Sequence, residues 1–303
     1  MLVKLVKMAA EGKVFPEKTL SVLAPASAKQ IERPATKLCV ECPSQYPMQF
    51  PKSLQELKVN NCSLRRVSPQ IIALPNLCVL DLSCNSIPDV PNAFGQLVNL
   101  HTIDLSNNKL TCFPIVLLKS ELRNSLVSIN LKHNEIKALP HDMSKLQNVH
   151  SLNLNNNLIQ CLPESIAFIR SLQNIFMSDN KLGYLPGILL SRTLGTADFS
   201  HNLFVDRLRD RGSGLFSVPT LMEWAARVVV NQRIHYTNED LDVHSISYLK
   251  QVHYCLCGKP CFESSISQLH RSKLPSTINY SSEEYPFLVY ICSKKCQQRF
   301  DKL

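Results

Sequence analysis

No apolar run in this sequence of 303 residues is long enough to cross a membrane. The opening stretch MLVKLVKMAAEGKV lacks an unbroken apolar core, because Lys4 and Lys7 interrupt it, so no secretion signal is expected. A dense basic stripe interleaved with aromatics is also missing. The net charge of +9 is spread along the chain, and no direct nucleic-acid contact is expected. The recurring carboxylates Asp81, Asp104 and Asp198 have no base, nucleophile or metal ligand beside them, and no arginine–asparagine constellation of a GTPase-activating site is visible. An enzyme is therefore the weakest reading. Apolar residues make up 45% of the chain and charged ones 19%, the balance of a folded protein. Twelve cysteines without a secretion signal point to a reducing compartment, and so to thiols or metal ligands rather than disulfides.

A unit of the form LxxLxLxxNxL recurs from Leu54 to Phe204. Its copies begin at Leu54, Leu77, Leu100, Leu126, Val149, Leu172 and Leu194, at steps of 22 or 23 residues with one of 26. In the fourth copy Leu126, Ile129 and Leu131 point inward around a short strand, since alternation of apolar residues marks a half-buried strand. The Asn set, Asn85, Asn108, Asn134, Asn157, Asn180 and Asn202 with Cys62 in the first copy, suits the bend after the strand, where backbone groups need a buried polar partner. An apolar–Pro step follows in most copies, as in Leu139-Pro140 and Leu162-Pro163, and keeps the next segment short. Cys62, Cys78, Cys84, Cys112 and Cys161 lie in or beside these frames and read as small buried apolar residues. This spacing is the signature of leucine-rich repeats, and its Leu-Pro form resembles those of intracellular proteins. The expected fold is α/β: a curved solenoid with a parallel sheet on its concave face. Its central outward lane would be Lys58, Asp81, Asp104, Asn130, Asn153, Phe176 and Asp198, a surface for a protein substrate, with Phe176 an exposed anchor. The three extra residues of the third copy, around 118–124, are expected to bulge from the convex side or rim.

The flanks divide by composition. Residues 1–37 form an N-terminal segment, partly disordered, with an amphipathic turn near 2–8 and a linker at 24–37. Residues 38–53 would cap the solenoid. Their Cys39 and Cys42 have no further ligands nearby to make a metal site. The repeats occupy 54–210, and the charged run DRLRDRGSG at 206–214 marks a boundary. In 211–250 a helix starts at a capping box, Thr220 with Glu223, and places Leu221, Ala225 and Val228 or Val229 on one face. Residues 251–303 carry CLCGKPC, with Cys255, Cys257 and Cys261, and YICSKKCQQRF, with Cys292 and Cys296. The second pair, four residues apart, shares one helix face, with Ser293 as cap. This resembles a treble-clef-like zinc module with a hairpin at 278–291, closed around one structural zinc. Cys292 and Cys296 are two of its ligands. Two of Cys255, Cys257 and Cys261 supply the rest, with His253 and His270 as bystanders. A cysteine-rich extracellular cap would abut the last repeat directly, and is not expected here.

The string TLMEWAARVV at 220–229 resembles the box by which substrate receptors dock on Elongin C: Thr220, Leu221, Ala225 and Val229 match it, with Ala225 where Cys is usual. A leucine from the first helical turn fills a groove on the partner, and a small residue one turn later allows close approach. The order solenoid, TLMEWAARVVVNQRI, CxCGxxC, CSxxC resembles one family, the leucine-rich repeat substrate receptor of the cullin-2 ubiquitin ligase. The resemblance implies docking on Elongin B/C, then contact with cullin-2 and its RING subunit through a box at Leu241 and Val243, where Asp242 stands in place of the usual Pro. It also implies location in the nucleus and cytoplasm, and nuclear substrates, among them the ubiquitylated replicative helicase at replication termination. Members of that family carry a longer N-terminal domain, of which at most a remnant is expected here. The alternative reading is a non-enzymatic cytosolic leucine-rich repeat scaffold or signalling adaptor.

Overall fold

The structure, a computed structural model, describes residues 35–205, 216–279 and 284–301. The repeats fold as the spacing predicts. A strand ahead of the first copy, β1 (Lys37–Val40), precedes the short strands of the repeats: β2 (Glu56–Val59), β3 (Val79–Asp81), β4 (Thr102–Asp104), β5 (Ser128–Asn130), β6 (Ser151–Asn153) and β7 (Asn174–Phe176). After a two-residue strand β8 (Leu185–Pro186) comes β9 (Leu194–Asp198), and β1 to β7 with β9 pair side by side in parallel. The inward leucines and isoleucines, such as Leu57, Leu80, Ile103, Ile129 and Leu152, are buried in one continuous core. No single repeat could bury this edge alone, so stacking supplies the hydrophobic stabilisation.

The asparagines hold the bend. The side-chain carbonyl of Asn134 accepts the Leu110 N–H at 3.0 Å, and its amide donates to the carbonyls of Leu105, Leu131 and Lys132 at 2.9, 3.0 and 3.3 Å. Each such side chain ties its own strand end to the preceding repeat. The residue just before it takes a left-handed conformation in every copy: Asn61, Cys84, Asn107, His133, Asn156, Asp179 and His201 have φ between 53° and 57°. Asn and Asp tolerate this region best, and four of the seven are Asn or Asp.

Short helical segments return the chain behind the sheet, among them α1 (Pro69–Ile72) and the turns at Asn92–Gln96 and Glu164–Phe168. The extra residues of the third repeat become two four-residue helices, α2 (Val116–Lys119) and α3 (Leu122–Ser125), whose Val116, Leu117, Leu118 and Leu122 are buried. Of the five cysteines expected in the core, Cys62 alone is buried. Cys78 is half-buried, while Cys84, Cys112 and Cys161 are exposed, because they occupy the bend or precede the apolar–Pro step.

After the repeats come α4 (Leu221–Asn231) and α5 (Val243–Lys250), then a two-residue hairpin, β10 (His253–Tyr254) with β11 (Pro260–Cys261). The rest of the chain corrects the expected hairpin at 278–291. The antiparallel pair is β12 (Ile266–Ser272) with β14 (Tyr285–Ile291), while β13 (Ser276–Asn279) joins the main sheet beside β9 as its ninth strand. An open edge next to β9 would leave ladder groups unpaired, and β13 satisfies them. On the opposite side β14 pairs in parallel with β8, and its Tyr285 and Phe287 enter the repeat core. Gly187 permits this approach: a Cβ there would stand 2.7 Å from the Leu288 carbonyl. The last element of the described residues is α6 (Lys294–Phe300), capped by Ser293.

Candidate functional site

The predicted lane on the sheet is in perfect register, each residue opposite the next: Lys58, Asp81, Asp104, Asn130, Asn153, Phe176 and Asp198. Its carboxylates and amides are engaged locally. Asp81, Asp104, Asn130, Asn153 and Asp198 each accept the backbone N–H two residues on, at 2.8 to 3.2 Å. Asp104 also accepts from the Asn130 amide at 2.7 Å. These polar side chains therefore end their strands as well as solvating the sheet. Phe176 is half-buried, not exposed as expected, since it sits between Asn153 and Asp198 on adjacent strands.

The helix α4 is amphipathic in an unusual sense, with two apolar faces. Inward, Ala226 is buried, and Val229 and Val230 pack half-buried with Leu241, Tyr248, Leu249 and Phe262. Outward, Leu221 is 86% exposed, Trp224 57% and Val228 45%, and Ala225 is exposed with them. The structure thus brings Leu221, Ala225 and Val228 to one open face, whereas Val229, the residue matched to the docking box by sequence, is half-buried against the protein. Thr220 caps the helix by accepting the Glu223 N–H at 3.1 Å. The Glu223 carboxylate, expected to complete a capping box, is instead buried and taken up by Ser264 and Arg227. In the second box Leu241 is half-buried in the same cluster, while Val243 is 84% exposed. Asp242 caps α5, accepting the Ser245 N–H at 2.9 Å, a bond that holds its carboxyl below the usual range.

Among the described residues, the sulfurs of Cys255, Cys257, Cys292 and Cys296 lie within 4.8 Å of one another. Cys257 to Cys292 and Cys292 to Cys296 are each 3.6 Å. Four sulfurs at about 2.3 Å from a central ion would stand about 3.8 Å apart, so the set fits a tetrahedral metal. Two turns aim the ligands: Gly258, at φ +82°, reverses the chain after Cys257, and the Ser293 hydroxyl accepts the Cys296 N–H at 3.3 Å. The sulfurs cannot all ionise without a cation. A hydrogen bond from Cys261, with backbone N–H groups of Cys257 and Cys292, draws Cys255 down to about 4, while burial pushes Cys257 and Cys292 up. Of the five candidate cysteines, Cys261 falls outside the set and is fully buried behind it. His253 is not a ligand either. It stacks on Tyr290 and bonds Glu164 of the repeats.

A leucine rich repeat family model matches residues 52–110 and 124–182. Leucine-rich repeat protein 1 of Homo sapiens is 34% identical over 286 residues, which cover 91% of this chain and 69% of the human protein. The Mus musculus protein of the same name is 34% identical over 287 residues, covering 91% of this chain and 68% of its own length. The chain belongs to the leucine-rich repeat protein 1 family. Among solved structures, the TLR13–ssRNA13 complex overlaps 50% of this chain and 22% of its own at 29% identity and a TM-score of 0.45, a partial likeness from which nothing functional follows.

As a member of the leucine-rich repeat protein 1 family, the chain is a repeat scaffold of the kind that binds proteins. Three partnerships of this family member escaped its sequence: Ser264 with Glu223, Ser264 with Arg227, and Glu164 with His253. None recurs with a period or sits in a motif. Each is a partnership across dozens of residues that a local pattern cannot carry.

Proposed function

We propose that this chain is the substrate-recognition subunit of a cullin-2 RING ubiquitin ligase, working in the nucleus and cytoplasm. The repeats hold a nuclear target, with the replicative helicase at replication termination as the family expectation. The helix α4 docks on Elongin B/C, and Leu241 and Val243 lie where cullin-2 would be contacted. The four cysteines hold one structural zinc, which closes the fold and leaves no position open for chemistry. The subunit breaks no bond itself; it raises the local concentration of the target beside the ligase.

One observation carries the reading: Leu221 is 86% exposed at the first turn of a helix that is otherwise anchored. Leaving such a side chain in water forgoes about 2 kcal/mol. Trp224 and Val228 beside it compound the loss, and a partner groove would recover it.

The test is co-expression with Elongin B/C and capture of the complex, for the wild-type chain and for Leu221→Asp. Docking requires that the wild type co-purifies with the adaptor and that Leu221→Asp does not, at an unchanged melting temperature. Absence of wild-type co-purification would reject the reading. So would a variant that keeps the adaptor. A variant that melts early instead would favour a plain scaffold in which the helix is only a cover.

A further inference from the structure

The outward face of α4 is useful only if the helix is held in one orientation, and its inward face shows what holds it. Glu223 is buried to 1% exposure inside the first turn. Its carboxylate accepts the Ser264 hydroxyl at 2.6 Å and the Ser264 N–H at 3.2 Å. Arg227, one turn on, donates to the same carboxylate at 2.7 Å and to the Ser264 oxygen at 2.9 Å. A buried carboxylate tolerates this position only because every partner is in place. Beside them Phe262 packs on Ala226 and stacks on Tyr248 of α5, ring centroids 5.1 Å apart at an angle of 5°.

The receiving residues follow the cysteine knuckle directly. Phe262 and Ser264 come just after β11, against which α4 packs, and β11 forms only two rungs with β10. A ladder that short does not hold its own shape. The upstream limb of the knuckle is fixed by Cys255 and Cys257 meeting Cys292 and Cys296 of the β14–α6 corner, and the downstream limb is tied to it by the Cys255 N–H, which donates to the Lys259 carbonyl at 3.0 Å.

We infer that Ser264 and Glu223 are positioning residues that latch α4, and that a metal ion on the four cysteines sets the latch, so that presentation of Leu221 depends on metal. The inference rests on reading α4 as a docking helix, and extends it to the control of that helix.

Amide hydrogen exchange on the full chain tests it without any partner. Stripping the metal with a zinc chelator should speed exchange of residues 221–231 about tenfold, while the repeats keep their protection. Ser264→Ala and Glu223→Gln should do the same at full zinc content. Unchanged α4 protection after metal removal overturns the inference, and so does simultaneous loss of protection throughout the repeats. Should Ser264→Ala unfold the repeats, the near-isosteric Glu223→Gln decides: fast α4 exchange supports the latch and wild-type exchange refutes it. Elongin B/C capture, measured on the same samples, should fall with α4 protection. If the intact, metal-loaded chain captures no adaptor, the docking proposal alone fails, because exchange reports the latch independently.

Discussion

Glu164 and His253 lie 3.1 Å apart, joining the fifth repeat to the first strand of the cysteine-rich segment. The same carboxylate accepts the Tyr254 N–H, and Tyr254 sets its ring edge-on to Phe168, centroids 4.6 Å apart. Replacing Glu164 by Ala should cost about 2 kcal/mol, since a buried N–H loses its acceptor. Burial raises the Glu164 carboxyl above its ordinary value. A raised folded-state value means the protonated form is favoured in the fold, so its contribution is complete below the ordinary carboxylate range and is lost as pH rises through the raised value. Against Glu164→Gln, the wild-type denaturation midpoint should therefore decline across that window. A parallel pH dependence of the two proteins would contradict the assignment.

Asn134 makes four hydrogen bonds to backbone groups of two successive repeats. Asn134→Ala leaves those buried groups unpaired, and about 3 kcal/mol of stability should go with them. Urea denaturation measures the loss. Because repeats couple only to neighbours, exchange protection should drop first around the third and fourth copies.

Gly187→Ala should destabilise by about 2 kcal/mol, because the new methyl would meet the backbone of Leu288 and Val289 rather than a side chain that can swing away. Differential scanning fluorimetry suffices as the readout. A variant as stable as wild type would mean that β14 can retreat from β8.

Elemental analysis separates the five cysteines. Cys257→Ala or Cys296→Ala should leave well under one zinc per chain, whereas Cys261→Ala should keep about one. Equal loss in all three would return Cys261 to the ligand set.

The repeats were legible because their physics is periodic: Leu57, Leu80 and Ile103 face one core for one reason, repeated. The ligand-bearing turns were legible as well, since Gly258 and Ser293 stand beside the sulfurs they aim. What stayed hidden depends on long-range pairing. Lys37–Val40 lacks the full motif yet adds a strand ahead of the first copy, because a sheet edge accepts any extended segment of suitable pattern. Ser276–Asn279 does likewise at the far end, and no local feature of it names β9 as neighbour. Likewise Glu223 fits a capping box by spacing, but burial against Ser264 claims its carboxylate.

The insertion of β13 beside β9 bears on how this protein can be dissected. A chain cut after residue 250 would shed the five cysteines of the last segment, and with them the lid over its final coil, baring Phe199 that Tyr285 now covers. Such a fragment should clump rather than report on recognition. Point substitutions in the intact polypeptide are the sounder tool for separating the two ends of this molecule.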